Sequence, residues 1–218
     1  MANLPKPGRA PRSDGVATRQ RILDRAGEAI AAASFAATSN KQIAAAAGVN
    51  LATINHHFGN RDGLYQAVLV EAHRRLIDAS DLELVLASGQ TPEARLKGLL
   101  RFLLRGSATA PRWPLSVLAR EIMSPSPHLL ALQQMEVLPK INMILPILGE
   151  LTHLPLDDPR LLLIVPMIAA PCALVTIAGQ VASPLTDRIA TLSEEDAVET
   201  ILTLVSGGMA AIRSMRGG

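Results

Sequence analysis

The sequence predicts an all-α protein with a small N-terminal domain and a larger, more apolar C-terminal one. Three observations carry that prediction. Apolar residues recur three and four positions apart along nearly the whole chain, and no strand-like alternation survives inspection. Helix-starting signals, a capping side chain followed by proline or an acidic first turn, recur throughout. Of the 218 residues 49% are hydrophobic but only 2% are aromatic, so alanine and leucine do most of the packing, as in close-packed helices.

Charge and cysteine narrow the class further. The formal charge is +2, but residues 1–78 hold ten Lys/Arg against six Asp/Glu while residues 79–218 hold eleven against thirteen. The basic front end is the part suited to meet phosphate. A single cysteine excludes an intrachain disulfide framework and a multi-cysteine metal site, and with no signal-like apolar start it fits a cytoplasmic location.

The elements follow in order. Residues 1–16, with Pro5, Pro7, Gly8 and Pro11 among Lys6, Arg9 and Arg12, read as a flexible basic arm. From about Ala17 to Ala33 the positions Ile22, Ala26, Ala29 and Ala33 form one helical face. Ser39-Asn40-Lys41-Gln42 has the form of a capping box, and the short helix that it opens stops at Gly48. Asn50 caps another short helix to about His57. Gly59-Asn60 then separates it from a long fourth helix with the face Leu64, Val68, Ala72 and Leu76. The expected division is residues 17–62 for the N-terminal domain and 63–218 for the C-terminal one, the fourth helix connecting them.

Beyond residue 80, capping signals at Thr91-Pro92-Glu93, Ser126-Pro127, Asp158-Pro159 and Ser193-Glu194-Glu195-Asp196 help to place helices at roughly 91–105, 113–123, 127–150, 159–182 and 194–213. Pro139 and Pro146 should kink the third of these. The uncharged run 161–186 is long enough to cross a bilayer. Pro166, Pro171, Gln180 and Pro184 within it, and the absence of flanking basic clusters, favour a helix in a core or interface.

The informative stretch is 43–64. Two short helices joined by a glycine-containing turn make a helix-turn-helix, whose second helix lies in the DNA major groove. Ile43, Val49, Ile54 and Phe58 would face inward. The opposite face carries Ala52, Asn55 and His56, short side chains able to donate, accept or make apolar contact with base edges. Ser39, Lys41, Thr53, His57 and Arg61 surround them as candidates for phosphate, helped by free backbone donors at the helix starts near Ser39 and Asn60.

The run from Thr18 to Leu76, above all Ile43-Ala44, Ala47-Gly48-Val49, Thr53-Ile54, His57-Phe58, Arg61 and Leu64, resembles the DNA-binding domain of the TetR family of transcriptional regulators. The stretch from Ile54 to Tyr65, with Trp113, Arg120-Glu121 and Pro125-Ser126-Pro127, resembles its CecR-like subgroup. The resemblance implies a homodimeric repressor on a double-stranded DNA operator, with a C-terminal domain that binds a small-molecule effector and two last helices that pair across a two-fold axis. It also carries phosphate contacts onto Thr53, His57 and Arg61 by position. Asn55 stands where many members have tyrosine, and Arg61 where the usual residue is lysine, which keeps the charge.

Phe102, Trp113, Arg120, Glu121, Met123, Met143, Met167 and Cys172 are the candidates for an effector pocket, Met135 with them; ordinary core packing explains the apolar ones better. Val198, Ile201, Val205, Met209 and Ile212 form a stripe on the last helix suited to a subunit interface, with Gly207, Gly208, Ala210 and Ala211 beside it. Adjacent His56 and His57 point about 100° apart on a helix, without a completing ligand, so no metal is expected. No cofactor fingerprint or nucleophile motif occurs, and a catalytic role is not expected. Two further readings remain: a helical ligand-binding module without DNA binding, and an apolar membrane-associated protein.

Overall fold

The computed structural model describes residues 11–109, 111–179 and 183–215, the side chains of 11–13 and 107–109 excepted. Its described residues form helices and no strand. They are α1 (Pro11–Ala33), α2 (Asn40–Ala47), α3 (Leu51–Phe58), α4 (Arg61–Leu76), α5 (Ala79–Ser88), α6 (Pro92–Thr109), α7 (Arg112–Met123), α8 (Leu129–Leu132), α9 (Leu138–Thr152), α10 (Pro159–Ala178), α11 (Pro184–Ile189) and α12 (Glu194–Ser214). The expected arm lies outside the described residues up to residue 10, but residues 11–16 are the first turns of α1. Residues 180–182, expected at the end of the uncharged helix, also lie outside them.

Two short helices escaped the sequence reading. α5 begins where the charge balance changes, opened by Asp78, whose carboxylate accepts from the backbone of Ser80 and Asp81. α11 starts at Ser183-Pro184, a capping signal hidden inside the uncharged run. The helix with two prolines is interrupted rather than simply bent. α8 passes through a π turn, Gln133–Val137, into α9, and Pro139 lies in the first turn of α9. Proline offers no N–H and crowds the carbonyl four residues before it, and the wider turn relieves that conflict.

Two apolar cores result. The N-terminal core joins Ile22, Leu23 and Ile30 of α1, Ile43 of α2, Ile54 of α3 and Leu64, Val68 and Leu69 of α4 to Trp113 and Val117 of α7 and Leu132 of α8. The inward face of α1 is therefore Ile22, Leu23, Ala26 and Ile30, shifted from the alanine stripe because the larger side chains bury more area. Gly27 lets α7 approach closely: a Cβ there would lie 2.4 Å from the Trp113 ring. The C-terminal core gathers α5, α6, α9, α10 and α12 around Leu99, Leu100, Leu148, Leu161 and Val198. The boundary expected at 62/63 thus falls inside a shared core, because α4 and α7 bury their apolar faces against α1–α3.

Candidate functional site

α2 and α3 are set by their caps. Ser39 Oγ accepts from the backbone N–H of Gln42 while the Gln42 side chain accepts from that of Ser39, the reciprocal box that opens α2. α2 ends at Gly48 with φ 63°, a left-handed conformation that costs glycine nothing. Asn50 Oδ1 then accepts from Thr53 N at 2.8 Å and from Thr53 Oγ1 at 2.9 Å, opening α3. Arg21 of α1 donates to the carbonyl of Ala47 at 2.9 Å and holds the turn from behind. At the far end Gly59 (φ 78°, ψ −65°) forms a γ-turn in which Asn60 N donates to Phe58 O.

These constraints orient α3. Ile54 is fully buried, an anchor worth about 2 kcal/mol, and Val49 and Phe58 pack against the same core with Ile43. Ala52, Asn55 and His56 are consequently exposed together on the outer face. Leu51 is exposed beside them, an apolar side chain at the start of α3 that the sequence reading left out. Its signal was its position immediately after the cap. Leu51 and Asn55 share a shallow depression with Ala36, Ser39, Asn40 and Arg61, about 330 Å³ in volume.

The residues expected at phosphate ring this face, but three are already engaged, Ser39 by the capping box in which its hydroxyl also donates to Gln42 Oε1 at 2.8 Å. Ser39 and Lys41 are exposed at the start of α2, and His57 is half-buried beside Phe58. Thr53 gives its hydroxyl to Asn50. Arg61 Nη2 donates to the carbonyls of Phe35, Ala36 and Thr38 at 2.6, 3.3 and 2.9 Å, and the guanidinium sits over the Phe35 ring at 4.5 Å. It braces the α1–α2 loop that precedes the cap.

The residues expected around an effector are not brought together. Trp113 lies in the N-terminal core under Arg75, because α7 turns its apolar face toward α1 and α4. Arg120 donates to Ala31 O, and Glu121, 2% exposed, accepts from Tyr65, from Ser126 N and from Ser126 Oγ. Met123 is 85% exposed, and Met135 and Met167 are also exposed. Phe102 and Met143 pack on the C-terminal core, and Cys172 is inside it, where burial pushes its thiol up to about 11.

A cavity of about 170 Å³ lies instead between α4, α5, α6, α9 and α10. Its walls are mainly aliphatic, Leu82, Leu99, Leu103, Ile144 and Ile168 among them, and its polar members are His73 and Lys140. Lys140 Nζ lies 2.9 Å from both His73 Nδ1 and Glu136 Oε2, and Glu136 Oε1 accepts from Arg74 Nε at 2.7 Å. Sequence reasoning missed this group. Its signal was Glu136 and Lys140, four apart in an otherwise uncharged run.

The stripe expected at a subunit interface serves the chain's own core, and Ile201, Val205, Met209 and Ile212 of it also line the groove between α10 and α12. Val198, Ile201, Val205 and Met209 are buried in the chain's own core and Ile212 packs against it, since α12 needs that stripe to cover α6, α9 and α10. Its outer face carries Leu204, Gly207, Gly208 and Ala211. The adjoining outer face of α10 carries Leu163, Met167 and Leu174, all exposed, while Leu161, Ile164 and Ile168 point into the core. By length and composition α10 could span a membrane. A groove of about 350 Å³ runs between α10 and α12. Among the described residues no group of three or more His, Cys, Asp or Glu is placed to hold a metal.

Residues 22–68, from the first core residue of α1 to Val68 of α4, match the model of bacterial regulatory proteins of the tetR family. Solved structures share the fold of nearly the whole chain. A protein of Shewanella sp. PV-4 assigned to the tetR family of transcription regulators is 17% identical with TM-score 0.66, over 88% of this chain and 97% of its own. The ketosteroid transcriptional regulator KstR2 of Mycobacterium tuberculosis is 18% identical with TM-score 0.60, over 87% and 93%. A TetR-like transcriptional regulator from Rhodococcus sp. RHA1 is 20% identical with TM-score 0.60, over 93% and 99%. No curated protein sequence matches the chain significantly.

Proposed function

We propose that this protein is a cytoplasmic DNA-binding transcription regulator of the TetR type, a homodimeric repressor released from a near-palindromic operator by a small apolar or amphipathic effector. One observation carries the reading: Ile54 locks α3 into the core while Ala52, Asn55 and His56 stand together on its free face. A helix so held can enter a major groove and read base edges with those three side chains. Ser39, Lys41, Thr53 and His57 would meet the flanking phosphates, and Arg61 would hold the loop before Ser39 in the shape that meets them. The motif from Ile54 to Tyr65 supports placing the chain with the CecR-like subgroup.

Dimerisation rests on the joined outer faces of α10 and α12. Exposed Leu163, Met167, Leu174 and Leu204 beside Gly207 and Gly208 make an uncharged surface that a second copy can cover through a four-helix contact. Two α3 helices would then have to sit roughly 34 to 36 Å apart. A ligand in the cavity beside α4 acts on the helix that carries α3, and by linkage it lowers operator affinity as far as it favours another spacing.

The test is gel-shift titration of the protein against DNA from its own upstream region at several salt concentrations. The expected result is a discrete complex of one dimer per site whose affinity falls steeply as salt rises. Equal, weak binding to every duplex would overturn the reading in favour of a helical module without operator recognition.

A further inference from the structure

The chemistry of the interior cavity says what kind of effector fits it. Its aliphatic walls ask for an apolar body, and its size asks for a small one: a cavity of about 150 Å³ in another protein accepts a benzene-sized molecule, and this one measures about 170 Å³. Its polar end is more specific. Lys140 is 4% exposed and lines the cavity. A lysine ammonium has three N–H donors. Two are directed at His73 Nδ1 and Glu136 Oε2.

The two buried charges beside the cavity, Lys140 and Glu136, pair with each other. Glu136 divides its two oxygens between two cations, Arg74 and Lys140. His73 adds no anion and no second proton, because burial and the neighbouring lysine push its pKa down to about 4. Asp78 feels the lysine's charge but lies at the surface, with its carboxylate on Ser80 and Asp81. Lys140 is therefore the charge that lines the cavity, and its partner Glu136 is shared with Arg74, whose side chain is more than half exposed to water. Burying a charge is tolerated when it is paired and hydrogen-bonded, and with two of its donors engaged the ammonium keeps a third N–H from which a ligand carboxylate can accept.

Resting on the ligand-responsive reading above, we propose that the effector is a small monocarboxylate with a compact apolar body, an aromatic ring or a chain of roughly six carbons, whose carboxylate docks on Lys140. The docked carboxylate competes with Glu136 for the ammonium. Glu136 sits in the π turn 133–137 and holds Arg74 of α4, so a change at the cavity reaches the helix that positions α3. A π turn at that point supplies a segment that can rewind.

Calorimetric titration of the full chain with benzoate, phenylacetate and hexanoate, each beside its uncharged amide, tests this. The expected result is that at least one acid binds about tenfold or more tightly than its amide, the margin of a charge-assisted contact, and that Lys140→Met abolishes that margin, the acid losing more affinity than its amide. Equal binding of acid and amide, no binding by any acid, or a preference that survives Lys140→Met overturns the proposal. Should Lys140→Met not fold, the acid-to-amide ratio in the unmodified protein decides alone. DNA binding, read in the same samples, separates the two claims. An acid that binds with the stated preference but leaves operator affinity unchanged supports the ligand class and removes the release mechanism. Neutral compounds that alone bind and release DNA support release and remove the carboxylate.

Discussion

Tyr65 on α4 donates a 2.6 Å hydrogen bond to the carboxylate of Glu121 on α7. The contact is buried and ties the helix that continues from α3 to the first helix of the C-terminal half that packs on it. Tyr65 also stacks on Phe35, with ring centroids 4.0 Å apart, and meets His128 edge-on. The phenol's pKa is pushed up by burial and then by the carboxylate that it faces. Tyr65→Phe keeps the ring stack and leaves Glu121 Oε2 without that donor, so it should lower unfolding free energy by about 1 to 3 kcal/mol, read from urea denaturation midpoints.

Arg61 supports the surface proposed to face DNA by holding three carbonyls of the α1–α2 loop. Arg61→Ala should speed hydrogen exchange at Thr38 and Ser39 and weaken binding to all duplexes alike, since it disturbs the loop's shape and leaves the base-reading face intact. Unchanged exchange with weakened binding would instead make Arg61 a plain phosphate ligand.

Leu204 is 70% exposed on α12, one position before buried Val205. Leu204→Glu should leave the thermal midpoint nearly unchanged while light scattering falls from twice 23.1 kDa to the monomer value. Val205→Glu, by contrast, places a charge in the subunit's own core and should unfold the chain.

His73 gives stability a specific pH dependence. In the unfolded chain it takes a proton near its ordinary 6.5, but in the folded one only near 4, because burial and Lys140 oppose the charge. Between these values the unfolded state binds more protons, so the contribution is full above pH 6.5 and is lost as pH falls toward 4. The loss should be on the order of 2 to 3 kcal/mol and absent in His73→Gln, measured as the difference between their urea midpoints across pH 4 to 7.

Much of this fold is legible in the sequence because its helix ends are marked locally. Ser39 with Gln42, Gly48, Asn50 and Asn60 act through bonds within a few residues, and the exposed face of α3 follows from the placement of Ile54. What is not legible depends on which neighbour a helix chooses. Val198, Ile201, Val205 and Met209 make a stripe that fits another subunit or the chain's own core equally well, and only packing against α6, α9 and α10 decides for the core. Trp113 likewise goes to the N-terminal core because Gly27 leaves room for its ring. Lys140 and His73 lie 67 residues apart, and nothing local brings them together.

The central claim is that the outer face of α3 reads bases, and quantitative gel shifts on the upstream operator and on a scrambled duplex test it most directly. Asn55→Ala and His56→Ala should each narrow the gap between the two duplexes by about 1 to 3 kcal/mol for every base edge that the shortened side chain no longer reaches, with binding to the scrambled duplex and its salt dependence kept. If both variants discriminate between the duplexes as well as the unmodified protein does, this face does not read DNA and the assignment is contradicted.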